Sequence, residues 1–206
     1  MTISLNQVGK RYNHDWIFRR CTHTFSGTGG SAILGPNGSG KSTLLQIISG
    51  HHHHSEGKLE YFFNDQLLPQ DQFFRHCAIV APYLEVVEEL TLQECFEFHL
   101  QFKSFLPGFK PREIAGIVGL DAAWHKQVRH FSSGMKQRAR LALAIFSDVR
   151  ALLLDEPCTN LDAAGISLYQ QLIREYGGNR LIIVSSNDPA EYSFCQEQIR
   201  ISDYKQ

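Results

Sequence analysis

Apolar and polar positions follow two rhythms along this chain. Short continuous apolar runs occur at Ala32-Ile33-Leu34, Ala78–Ala81, Ala151–Leu154 and Leu181–Val184. Each predicts a strand, and the last two, which end in polar residues, read as strands buried on both faces of a parallel sheet. Between them apolar residues recur at helical spacing. Leu44, Leu45, Ile47 and Ile48 form one such set. Met135, Ala139, Ala142, Leu143 and Phe146 form a second. Ile166, Tyr169, Leu172, Ile173 and Tyr176 form a third, which Gly177-Gly178 ends. Ile3, Leu5 and Val8, and later Lys58–Phe63, predict strands before this alternation is established, with a turn at Asn64-Asp65 leading to Leu67-Leu68. The pattern predicts an α/β fold with a mostly parallel sheet and N-terminal antiparallel strands. Leu92 to His130 has another character: Phe96, Phe98, Phe102, Phe105 and Phe109 are interrupted by Pro107-Gly108 and Pro111. We read about 91–130 as a small inserted helical subdomain, with about 1–90 and 131–206 forming the core of a single domain over 1–206.

Composition narrows the function classes. The chain has 206 residues, 43% of them hydrophobic and 20% charged, which is enough for one domain with a substantial core. A formal net charge of −1 offers no basic field for nucleic acid. Cys21, Cys77, Cys95, Cys158 and Cys195 are scattered without a C-x-x-C pair, a usage that suits a reducing compartment rather than a disulfide framework. The N-terminus lacks the profile of a signal peptide. No apolar run approaches the roughly 20 residues of a membrane helix. Work on a membrane would require another chain to supply the span.

The most specific chemistry lies at Gly35-Pro36-Asn37-Gly38-Ser39-Gly40-Lys41-Ser42-Thr43, which fits the phosphate-loop pattern G-x-x-x-x-G-K-[ST]. A strand precedes it and a helix follows. Glycines let backbone N–H groups approach phosphate oxygens, and the helix N-terminus adds partial positive charge there. Lys41 is suited to the β- and γ-phosphates and Ser42 to Mg²⁺. A second half follows at Ala151-Leu152-Leu153-Leu154-Asp155-Glu156-Pro157, an apolar strand ending in two carboxylates. Asp155 suits Mg²⁺, and Glu156 can polarise a water for attack on a γ-phosphate. An acidic turn after a strand is common by itself. Downstream of a phosphate loop it reads as the rest of a nucleotide site.

With Phe131-Ser132-Ser133-Gly134-Met135-Lys136-Gln137-Arg138 and Thr159-Asn160-Leu161-Asp162 in the same order and spacing, the chain resembles the ATP-binding-cassette ATPases over essentially its whole length. The resemblance implies a P-loop NTPase of the ABC type that uses ATP and Mg²⁺. It further implies a head-to-tail dimer in which one copy's phosphate loop and the other's Ser132, Ser133 and Gly134 enclose each ATP. Thr159–Asp162, with Asn160 and Asp162, resembles the loop linking the two sites at the dimer interface. Tyr12 matches the aromatic that stacks on adenine, and Trp16 is a neighbouring candidate. The expected partners are a second copy and an integral membrane transporter subunit. The expected location is the cytoplasmic face of a membrane.

Three departures bear on rate. Phe131, Ser133 and Met135 replace three of the five residues of the usual L-S-G-G-Q signature. The glutamine that normally follows the Ala78–Ala81 strand is absent, and Pro82 or Tyr83 stands in its place. Asn187 occupies the position of the switch histidine. An asparagine amide donates a hydrogen bond to a γ-phosphate oxygen but carries no proton. Slow but real ATP hydrolysis is expected, with Glu156, Lys41 and Asn187 as the catalytic group. Two alternatives compete with a transporter subunit: a soluble ABC protein outside transport, and a weakly hydrolysing, ATP-dependent dimerisation switch. His51–His54 falls in a helix-to-strand loop with no Cys or Asp among the four, and reads as a variable polar loop rather than a metal centre.

Overall fold

The computed structural model describes residues 1–205 and divides them into two compact units. The first comprises Met1–Ile79, Arg150–Asp155 and residues 179–205, and the second Val80–Val149 and Glu156–Gly178.

Two sheets build the first unit. In the antiparallel sheet, β1 (Thr2–Tyr12) lies between β2 (Asp15–Phe25) and β4 (Glu56–Phe63), and β5 (Gln66–Leu68) forms the far edge beside β4. The other sheet has the order β6 (Cys77–Val80), β7 (Ala151–Asp155), β8 (Leu181–Ser185), β3 (Ser31–Leu34) and β9 (Glu197–Arg200). The β7–β8, β8–β3 and β3–β9 pairs are parallel. β7 and β8 are buried at every position, as their unbroken apolar runs require.

Helix α1 (Lys41–Ile48) turns Leu44, Leu45, Ile47 and Ile48 into a core shared with Ile3, Leu5, Phe18 and Ile183. Its last turn is fixed by the buried Tyr61 hydroxyl, which donates to the Ile48 carbonyl at 2.9 Å. Tyr61 also stacks on Phe73, ring centroids 4.0 Å apart.

β2 escapes a reading by period because bulges break its alternation. Gln7 and Arg20 adopt positive φ, 53° and 57°, and the β1–β2 register shifts between Leu5 and Val8 and again between Val8 and Lys10. β9 escapes because Ile199 is its one buried residue. The strand expected at Ala78–Ala81 lies one residue earlier, since Ala81 opens a turn.

In the second unit, α2 (Leu92–Leu100) starts at a capping box in which Thr91 and Glu94 satisfy each other's backbone donors. α3 (Pro111–Ile117), α4 (Ser133–Ile145) and α5 (Ala163–Tyr176) complete it. Phe96 and Phe105 are buried, Phe96 edge to face with Trp124 and Phe105 stacked on His99, whereas Phe98 and Phe102 face solvent. The aromatic run therefore divides between core and surface.

His99 is a half-buried base in this unit. Its ring lies parallel to Phe105 and its Nε2 is 2.7 Å from Ser147 Oγ. Ser147 spends its hydroxyl proton on the Leu143 carbonyl, so His99 Nε2 is the donor to Ser147. Burial, with Lys103 nearby, lowers the His99 pKa from 6.5 to about 4. An unfolded chain takes up a proton below its ordinary pKa of 6.5 while the folded chain does not until about 4. His99 thus contributes stability that is complete above pH 6.5 and lost on acidification towards pH 4, at up to about 1 kcal/mol per pH unit. Chemical denaturation at pH 7 and pH 5 should show a smaller loss for His99→Gln than for the parent. Equal losses would remove His99 as the cause.

Candidate nucleotide-binding site

The site in the first unit begins where β3 ends. Gly35, Gly38 and Gly40 take φ of 151°, 73° and 105° and bend the chain into a loop closed by Ser39 N–H donating to the Pro36 carbonyl at 3.0 Å. Gly40 is required twice over: its φ favours glycine, and a Cβ there would lie 2.6 Å from Ile17 Cγ2 of β2. The bulged hairpin thereby packs directly against the loop.

Gly40 is also the N-cap of α1 and supplies no side-chain cap. The first-turn N–H groups are left to a ligand. Lys41 folds back over the loop. It is 4% exposed, and its ammonium donates to the Gly35 carbonyl at 2.8 Å and the Pro36 carbonyl at 3.3 Å. A buried cation held against loop carbonyls, beside uncapped helix amides, is a receptor for a polyanion.

Parallel register gathers the remaining groups at the same sheet end. Ile33 pairs with Ser185, and Ser185 with Asp155. Asp155 is therefore the buried tip of β7, two strands from the phosphate loop, and Glu156 is the next residue in the chain. Glu156 adopts φ 43°, unusual for a residue with a side chain. Ser39 Oγ and Ser185 Oγ are buried with no protein hydrogen-bond partner. Unspent hydroxyls among a buried ammonium and a carboxylate fit a triphosphate with its Mg²⁺. Ser42, in the first turn of α1, and Asp155 are the residues present to hold the metal.

Asn187, just past β8, donates from Nδ2 to Asn37 Oδ1 of the phosphate loop at 3.1 Å. No motif or period signals this pair, whose members are far apart along the chain. Tyr12 ends β1 at 44% exposure with the Lys10 ammonium 4.8 Å from its ring centroid. Trp16 is half-buried between the guanidinium groups of Arg11 and Arg19, which leaves Tyr12 the freer aromatic. The main chain of His51–His54 is tied to the antiparallel sheet: Lys10 Nζ donates to the His53 carbonyl, and Ser55 N–H to Gly9.

The second unit carries the other predicted residues. Ser132 caps α4 through its hydroxyl, which accepts from Met135 N–H at 3.2 Å. Asp162 caps α5 in the same way, accepting from Gly165 N–H at 2.8 Å. Ser132, Ser133, Gly134, Asn160 and Asp162 line one open groove of about 530 Å³. Pro82 and Tyr83 form the centre of a turn closed by Leu84 N–H donating to Ala81, with proline in the position such turns favour.

Comparison with known proteins gives a consistent result. A family profile described as "ABC transporter" matches residues 20–159. The chain is 31% identical over 154 residues to an uncharacterised ABC transporter ATP-binding protein of Bacillus subtilis, covering 73% of this chain and 50% of the relative. It is 30% identical to a cytochrome c biogenesis ATP-binding export protein of Shewanella frigidimarina, covering 84% and 81%. Against the Bacillus relative the chain thus spans half the length. Among solved structures, the ATP-binding subunit of an ABC transporter superimposes with TM-score 0.81 at 21% identity, covering 97% of this chain and 85% of that one. A bacterial ABC transporter cassette solved as a dimer gives 0.79 at 22% identity, covering 97% and 95%. At these identities the structural likeness speaks for the fold.

The packing at Gly40 is open to test. Gly40→Ala forces a contact and a strained φ that together cost about 1–3 kcal/mol or more. Titration with a fluorescent ATP analogue should show at least about tenfold weaker binding. Adding Ile17→Ala should restore part of it, because the clash is relieved and the φ is not. Unchanged affinity in Gly40→Ala would exclude this account of the loop.

Proposed function

The chain belongs to the ABC transporter family of ATP-binding proteins, and from that premise we propose that it is a transporter's nucleotide-binding subunit, hydrolysing ATP to ADP and phosphate in a head-to-tail pair of copies. The observation that carries this reading is the Lys41 ammonium, buried in the phosphate loop above uncapped helix amides.

Lys41 and the first-turn amides of α1 take the β- and γ-phosphates, and Tyr12 stacks on the adenine. Ser42 and Asp155 would hold Mg²⁺, which would offset the negative charge of the phosphate oxygens. Glu156 orients a water and accepts its proton as the water attacks the γ-phosphorus in line. The Asn187 amide donates to a γ-phosphate oxygen, with Asn37 accepting its other N–H. Ser132, Ser133 and Gly134 of a second copy close on the same phosphate, their amides at the start of α4 adding positive potential. Asn160 and Asp162, in the same groove, take the dimer contact.

A membrane partner fits a surface of the second unit. Phe102 is 70% exposed and Phe98 53%, their rings edge to face at 5.1 Å, with Leu100 also open to solvent. Paired exposed aromatics on one helix end suit a short apolar element of another chain. Among the described residues no helix is long and apolar enough to cross a membrane. The spanning part then comes from that partner, and the subunit sits on the cytoplasmic face.

The turn at Ala81–Leu84 offers no side-chain amide to the metal, and Asn187 is a weaker donor than a histidine. Both favour a low rate over a lost one. Steady-state phosphate release should be Mg²⁺-dependent and fall by on the order of 10²-fold or more in Glu156→Gln, with nucleotide binding kept. Dimer formation with ATP but no such turnover would support a dimerisation switch instead. Asn187→His should leave ATP affinity intact and raise kcat by about 3–10-fold. A rate unchanged or reduced would remove Asn187 from the γ-phosphate.

A further inference from the structure

Gln137 lies one turn into α4 and is 2% exposed, a fully buried amide within a mainly apolar helix face. Both ends of the amide are used. Its Nε2 donates to the Pro157 carbonyl at 2.6 Å, and its Oε1 accepts from Arg140 Nη1 at 3.2 Å. A guanidinium only donates, so Arg140 fixes which end of the amide is oxygen. The nitrogen is thereby committed to Pro157.

Pro157 directly follows Glu156. The Glu156 carbonyl accepts from Thr159 N–H at 3.1 Å, and Cys158 accepts from Leu161 N–H at 3.0 Å, so the segment is a tight turn. Glu156 stands at its head with φ 43°. Such a backbone persists only where its surroundings impose it. α4 meets the turn a second time: a Cβ on Gly134 would lie 3.2 Å from the Asn160 carbonyl oxygen. One helix therefore holds the turn near its start through Gln137 and near its end through the bare backbone of Gly134.

We propose that Gln137 is a positioning residue for Glu156, holding its backbone so that the carboxylate meets the attacking water. The proposal rests on the ATPase reading for its functional half. It adds a direction of coupling. The N-terminus of α4 receives the other copy's nucleotide, and the same helix, four residues on, grips the carbonyl beside this copy's own glutamate. Closure on one ATP is felt at the base that serves the other. The hydrogen bond from Gln137 carries this coupling to the residue beside Glu156.

Gln137→Met keeps the volume and removes the donor. It should lower kcat by on the order of tenfold while the KM for ATP stays within twofold. In single-turnover assays it should cause no further loss in a Glu156→Gln background, since a misplaced base and a missing one are equivalent. Amide hydrogen exchange at 158–162 should quicken, with α4 unchanged. Gln137→Glu serves as the second variant should Met fail to fold. Its carboxylate keeps Arg140 and loses the donor, and turnover should recover on acidification as the protonated carboxyl donates to Pro157. An unchanged kcat in these variants, or equal losses with and without Glu156, would overturn the proposal. A parent protein without Glu156-dependent turnover would instead sink the ATPase reading. The exchange measurement would then decide the positioning role, with unchanged protection at 158–162 ruling it out.

Discussion

Parallel pairing of β7, β8 and β3 in register is the constraint on which the rest depends. Each strand ends at the same level because Asp155, Ser185 and Ile33 are cross-strand partners. A strand slipped by one residue would exchange its two faces. It would also move Asp155 about 3.3 Å away from the loop that follows β3. Burial on both faces enforces the register, since every residue of β7 and β8 is shielded from water. Hydrophobic packing therefore delivers charged groups to one end of the sheet, where α1 presents its amides.

Much of this was legible in the chain. Phosphate-loop chemistry demands specific residue types at fixed spacing, so Gly35–Thr43 announces itself. Ala151–Leu154 and Leu181–Val184 are plain because strands buried on both faces carry no polar interruption. What stayed hidden shares a different cause. β2 is masked by bulges that break its period of two, and β9 by burying one side chain. The Asn187–Asn37 and Gln137–Pro157 contacts join residues that neither motif nor period connects. A buried glutamine inside an apolar helix face was visible as a letter, and its partner is a backbone carbonyl, which no letter marks.

The departures from the family pattern fall outside the phosphate loop and the strand-tip carboxylates. The loop, its lysine and both strand-tip carboxylates are intact. The altered positions are a turn residue at Pro82 or Tyr83, Ser133 at the helix start, and Asn187. In the proposed function, each falls at a donor or ligand of the hydrolysis step rather than of binding. On the same reading, Asn187, held by the phosphate loop, offers a neutral, fixed dipole where a histidine would offer proton chemistry.

The cysteines carry a practical consequence. Cys21, Cys77, Cys95 and Cys158 are buried, and Cys195 is partly so. Burial pushes the Cys21 and Cys195 thiols up to about 12 and Cys95 up to about 11, so at neutral pH almost none of these is thiolate. Alkylating reagents react with the thiolate. A single cysteine introduced on the surface would react far ahead of the natural set, so spectroscopic rulers between two copies could be attached without first stripping the chain of its own thiols.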